Sequence, residues 1–364
     1  MPAERSSAPA VRIGLLRLTD AAPVVLAAAR GLFEEEGVAA ELVVEPSWAN
    51  LADRLSYGFL DAAVILPPLA LAMALGLRLP ATPLIVPMSL SLNGNSVTLA
   101  NAFAAPILEG GRPEPLEAGR RLRHLLARGR QPVLAVVHAW STHDLLLRYW
   151  LAASGIDAEH AVGWTIVPPA AMVDALASGR IDGFCAGAPW GAVAAAAGLG
   201  RTIVVSSAIW RDHPEKCLAV RASWAERHPD ALQAVLRALL RAAARCDDPA
   251  ETPALAALLA QPSFVDVPSG VIAASLAGGE GGEVDRSRFA PHAATFPQSA
   301  HARWFLHQMA RWRELPAGID PARFAADIYR PDLYRSAASA VGLPPPLLPA
   351  RIDSAFCDGA SFEG

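Results

Sequence analysis

Apolar positions along this chain follow two alternating periods. Val11-Arg-Ile-Gly-Leu-Leu alternates as a half-buried strand does, and Thr19-Asp20 with Pro23 opens a helix through Val24–Phe33 that Gly37 stops. Ala40–Glu45 reads as the next strand, 50–57 as a helix, and Asp61–Leu66 as a short buried strand. Pro67-Pro68 begins another helix that ends at Gly76, and Leu84–Met88 is a strand again. A segment rich in Pro, Gly and Arg (104–131), built around one helix over 116–128, marks the passage to a second unit. The rhythm then repeats: strands over 132–137, 164–167, 181–185 and 202–206, with helices over 143–154, 169–178 and 189–197 between them. A long amphipathic helix, 229–246, returns to the first unit, and helices over 253–259, 300–313, 321–328 and 332–341 follow, with a Gly-rich loop at 277–282.

Strand–helix alternation of this kind predicts an α/β fold with two lobes, each a mainly parallel sheet flanked by helices. Lobe I is expected over 11–100 and 213–364 and lobe II over 101–212. A ligand then belongs in the cleft between them, beyond the strand ends.

Composition narrows the function. The 364 residues carry 31 Lys and Arg against 35 Asp and Glu, a net charge of −4, and no basic tract suited to nucleic acid. Hydrophobic residues make up 53% of the chain, much of it Ala, but no apolar run reaches the ~18 residues of a membrane span, so no membrane insertion is expected. The first ten residues lack the apolar core of an export signal, which makes the cytoplasm the expected location. The four Cys (185, 217, 246, 357) have neither CxxC nor metal-ligand spacing. Neither a metal nor another cofactor is expected. No nucleophile elbow, phosphate-binding loop, dinucleotide fingerprint or HExxH is present, so the chain is expected to be a binding protein and not an enzyme.

One stretch offers binding chemistry. Trp140-Ser-Thr-His-Asp-Leu-Leu-Leu-Arg-Tyr-Trp150 reads as a strand end running into a helix that Ser141 or Thr142 caps, with Asp144 in its first turn. A helix start presents free N–H groups to a small anion, and His143 adds a side-chain donor there.

The chain also resembles the nitrate- and bicarbonate-binding proteins of ABC uptake systems, the NrtA/CmpA family. The resemblance is carried by Leu18-Thr-Asp-Ala-Ala-Pro23, Arg30-Gly-Leu-Phe33, Ser47-Trp48, Leu92-Asn-Gly-Asn95 and Thr142-His-Asp-Leu145. It continues through Val167-Pro-Pro169, Asp182-Gly-Phe-Cys185, Pro189-Trp190 and Trp210-Arg-Asp-His-Pro-Glu-Lys216, in order over about 11–250. It implies a fold like that of class II periplasmic binding proteins and an anion held by four side chains, which fall here on Trp48, Asn95, His143 and Lys216. Asn95 stands where the family usually has Gln, Ala188 where Glu is common, and Gly191 where Asn is usual. Asp20, Arg148 and Asp182 read as structural, and Trp150, Trp164 and Trp190 as core.

An indole N–H, an amide, an imidazole and an ammonium are all donors, and nitrate or nitrite at neutral pH only accepts. A bicarbonate O–H would ask for an acceptor, so a Lys at 216 instead of a carboxylate favours nitrate or nitrite. On type alone each residue has a plainer reading: Trp48 in the core, Asn95 beside a turn, His143 as a helix-end residue, Lys216 solvated. The family also has cytoplasmic relatives, nitrate/nitrite sensors of the NasS type. These hold an RNA-binding antiterminator of the NasT type inactive until the anion binds. With no export signal, the expected function is such a sensor. The alternative is the substrate-binding component of an ABC uptake transporter, with a permease as its partner.

Overall fold

Among the described residues, ten strands form two five-stranded sheets with the same internal order. They are β1 (Val11–Leu15), β2 (Ala40–Val44), β3 (Ala62–Ile65), β4 (Leu84–Leu92), β5 (Asn95–Ala100), β6 (Val133–Val136), β7 (Gly163–Ile166), β8 (Gly183–Gly187), β9 (Gly200–Val205) and β10 (Pro214–Arg221). The computed structural model describes residues 10–78, 80–129, 131–278, 284–313, 315–344, 346, 352, 355–363. Most of the Gly-rich loop expected at 277–282 lies outside them.

One sheet runs β2-β1-β3-β10-β4 and the other β7-β6-β8-β5-β9. Within each, four strands run parallel, and one inner strand is antiparallel to both neighbours. That reversed strand is always the one that has just crossed from the other lobe: β5 enters lobe II, and β10 returns to lobe I. Helices pack on the sheets as the alternation requires, and the fold is the mainly parallel α/β pair of lobes expected from the pattern.

Two details differ from the sequence reading. β5 belongs to the second sheet, so the first crossing falls at Asn93-Gly94 and not at residue 100. β10, whose first half reads Pro-Glu-Lys, has no counterpart in the elements inferred from periodicity. The turn at the crossing is built for its sequence: Asn93 has φ 61 and Gly94 φ 92, and a Cβ on Gly94 would run into Ser287 Oγ.

The C-terminal segments tie the lobes together. The helix Ser299–Trp312 brings Trp304 onto Trp210 of the second crossing, ring centres 4.3 Å apart, with Phe356 stacked on Trp304. Tyr149 on the lobe II helix Thr142–Ala153 donates to Asp358 at 2.9 Å, and Arg313 donates to Asp144 at 2.8 Å. No helix among the described residues is long and apolar enough to cross a membrane.

Candidate functional site

The helix Trp48–Ser56 follows β2 in lobe I, and its cap is Ser47, whose Oγ accepts the Asn50 N–H at 3.2 Å. Ser141 does the same for the lobe II helix Thr142–Ala153, accepting the Asp144 N–H at 3.0 Å. Each cap holds a helix start at the crevice and contributes about 1 kcal/mol of stability. Trp48 is the first residue of one helix, and Thr142 and His143 are the first two of the other. Asn95 opens β5, and Lys216 lies near the start of β10. Trp48 is 1% exposed and the other three 0%, so the lobes are closed over them.

Two carboxylates that the sequence reading did not place at the site complete it. Lys216 Nζ donates to Asp20 Oδ2 at 2.8 Å and to Glu215 Oε1 at 2.5 Å. Asp20 is therefore a counter-ion at the site and not simply a structural residue. Glu215 joins the lobes: its Oε2 accepts from Asn95 Nδ2 at 2.5 Å, and His143 Nε2 stands 3.4 Å from its Oε1. The ammonium also sits 5.4 Å from the centre of the Trp48 ring. Lys216, Trp48, Asn95 and His143 thus gather round one buried ion-pair trio, but Asn95 spends an amide N–H on Glu215 instead of leaving it free.

Electrostatics follow from burial. Desolvation works against the Lys216 cation, but Asp20 and Glu215 outweigh it and hold its pKa above the ordinary lysine value. Burial pushes Glu215 up to about 7, against the pull of Lys216. Burial, followed by the Lys216 charge, keeps the His143 pKa well below its ordinary value, so the imidazole is neutral with one N–H and one lone pair. Around this trio Trp48 Nε1, Thr142 Oγ1, Asn95 Oδ1 and both His143 nitrogens have no hydrogen-bond partner in the chain. Buried polar atoms are ordinarily paired, so a group of orphans beside a cation is the mark of a site for a small polar ligand. By contrast the indoles read as core are satisfied: Trp150 by Pro115 O, Trp164 by Ala158 O and Trp190 by Arg17 O.

A buried hydrogen-bond chain supports Asn95 and the second crossing from behind. Asp285 accepts from Ser206 Oγ and Ser207 Oγ, both at 2.6 Å, and Ser206 Oγ in turn meets His213 Nε2 at 2.6 Å and the Asn95 N–H at 3.2 Å. The segment around Asp285 also pairs Arg288 with Leu92, so it straps both crossings. At two of the three departures from the family pattern, Ala188 and Gly191, the structure supplies substitutes. Thr19 N–H donates to the backbone carbonyl of Ala188 at 3.0 Å, which joins the lobes without a side chain there. A Cβ on Gly191 would meet the hydroxyls of Ser96 and Thr98, which fill that space. Among the described residues no group of three His, Cys, Asp or Glu is placed to hold a metal.

Residues 4–260 match the model of the NMT1-like family. The chain belongs to that family. It is 34% identical to the nitrate/nitrite binding protein NrtA of Synechococcus elongatus, over 97% of this chain and 83% of that one. It is also 34% identical to the bicarbonate transport ATP-binding protein CmpC of the same organism, over 92% of this chain but only 50% of that one. The crystal structure of the periplasmic nitrate-binding protein NrtA from Synechocystis PCC 6803 superposes with a TM-score of 0.90 at 29% identity, covering 97% of this chain and 95% of that chain. The aliphatic sulphonate binding protein SsuA from Escherichia coli, at 18% identity and a TM-score of 0.63, shares the fold.

Proposed function

We propose that this chain binds nitrate or nitrite in the crevice between its lobes and serves as the substrate-binding component of an ABC uptake system. The observation that carries the reading is the set of orphaned polar atoms on Trp48, Thr142 and His143 around the Lys216 ammonium. These groups can donate to an anion from both lobes; the Asp20 and Glu215 carboxylates also offer acceptors that a bicarbonate O–H could use, so the preference for nitrate or nitrite rests on the named relatives. The start of the helix Thr142–Ala153 adds the positive end of its dipole. The named binding proteins among the relatives support the ligand class, and their importers support a permease and an ATPase as partners. With the cage fully enclosed, binding and release require the lobes to part, and the two crossings are the hinge. The site is proposed to hold its ligand without transforming it.

Titration calorimetry with nitrate, nitrite and bicarbonate tests this directly. Saturable heat with nitrate or nitrite is expected. Heat with bicarbonate alone would overturn the ligand assignment.

The regulatory reading keeps the same cage and changes what senses its closure: a cytoplasmic antiterminator partner in place of a permease. One observation favours keeping it: the chain matches half the length of relatives named as transport ATP-binding proteins, so a module like it also occurs joined to components whose ATP is cytoplasmic. The relatives' names support transport over sensing, and cell fractionation separates the two. Recovery outside the cytoplasmic membrane is the expected result for transport.

A further inference from the structure

Charge counting in the cage reveals a mismatch with a monovalent anion. Lys216 brings one positive charge, and both Asp20 and Glu215 reach its ammonium. With both carboxylates ionised the trio is already negative by one charge before any ligand enters. Burying a further negative charge beside it, out of water, is costly. Adding a proton to one carboxylate removes that excess, loosens its hold on the ammonium, and creates an O–H donor in a place where an anion needs donors.

Glu215 is the group positioned to take the proton. It faces Lys216 on β10, His213 just before that strand, Asp20 on the 3-10 turn Thr19–Ala21, His143 on the helix Thr142–Ala153, and Asn95 on β5. The thiols of Cys185 and Cys217 also feel its charge. Burial holds His143 well below its ordinary value and His213 at about 3, so neither imidazole changes charge near neutrality. Burial moves both thiols upward, away from neutrality. Burial also raises the Asp20 carboxyl, but among the described residues only Glu215 reaches Lys216, Asn95 and His143 together, at the junction of the lobes.

We propose that the cage takes up one proton, on Glu215, with each nitrate or nitrite it binds, so that its ligand is an anion plus a proton. The inference rests on the oxyanion reading above. The proton comes from solvent, forms the O–H bond on the Glu215 carboxyl, and returns to solvent when the anion leaves. Lys216 keeps its own protons throughout. In the closed cage burial raises Glu215 to about 7, and a bound anion raises it further. Affinity is therefore steady on the acid side of the anion-free value and falls above it, towards about tenfold per pH unit.

The test is nitrate titration calorimetry on the full chain at about pH 8, in buffers of high and low ionisation enthalpy, with Kd followed across the neutral range. The expected result is uptake of close to one proton and a Kd that climbs with pH above neutrality. In Glu215→Gln, which mimics the protonated acid, the uptake and the climb both disappear. Wild-type heat that is independent of buffer, with a pH-flat Kd, would overturn the inference while leaving the oxyanion reading intact. So would proton uptake that persists in Glu215→Gln. Absence of nitrate and nitrite heat at every pH removes the oxyanion reading itself and this inference with it. If Glu215→Gln does not fold, the wild-type titration still decides whether a proton accompanies the anion, and the same titration of Asp20→Asn decides the carboxylate: uptake that persists there supports Glu215, and uptake that disappears overturns the assignment.

Discussion

The two walls of the cage are chemically unlike. Lobe I contributes every formal charge, Lys216, Glu215 and Asp20, together with the indole of Trp48. Lobe II contributes neutral polar groups: Asn95, Thr142 and His143, the last kept uncharged by burial and then by Lys216. The difference separates two tasks. The charged wall sets what net charge is tolerated, and the neutral wall completes the hydrogen bonding only when the lobes meet. Glu215 belongs to the first wall but bonds to the second, through Asn95, so charge and closure are joined at one residue.

The sharpest way to break this division is to remove the cation. Lys216→Met should abolish nitrate binding in calorimetry. It also strands two buried carboxylates, and should lower unfolding free energy in urea by about 3–5 kcal/mol. On the neutral wall, His143→Phe removes a donor but no charge, so Kd should rise about 10- to 100-fold, the worth of a hydrogen bond to an ion. An effect as large as that of Lys216→Met would mean that the walls are not distinct in kind.

Glu215 sharpens the comparison through pH. Its value in the fold, about 7, lies above the ordinary 4.5, so the native state holds the extra proton between them. Its contribution to stability is complete below 4.5 and is lost as pH rises through 7. Thermal melts of Glu215→Gln and wild type should therefore diverge in the variant's favour across that window; parallel curves would contradict it. The smallest effect is expected at the helix cap. Ser141→Ala should cost about 1 kcal/mol of stability, read as a lower Tm, and weaken nitrate binding only slightly because His143 keeps its place.

Much of the scaffold could be read from periodicity, because lobes built on βα repeats alternate apolar periods clearly. That Trp48, His143 and Lys216 come together was also legible, through motifs separated by long stretches of chain. What escaped was charge placed inside. β10 begins Pro-Glu-Lys, and a rule that treats charge as exposure cannot see a strand there, although Glu215 and Lys216 are both 0% exposed. The same rule left Asp20 as a structural residue. One signal was available: a lysine assigned to a buried site needs a counter-ion, and the glutamate beside it is the nearest candidate in sequence. β5 was hidden differently, by the polar run Asn-Ser-Val-Thr inside a strand that lies between two others.

The nested order of the strands bears on how this protein is made. Lobe II, β5 to β9, is a continuous stretch, but β3 and β4 of lobe I are held apart by a gap that only β10 fills. As the chain leaves the ribosome, the first sheet must wait, unfinished, until the whole second lobe has been synthesised. The strand that closes it carries Glu215 and Lys216. A polypeptide truncated before that point has neither a complete sheet nor a charged wall, so the proposed anion site arrives with the completion of the fold and not before it.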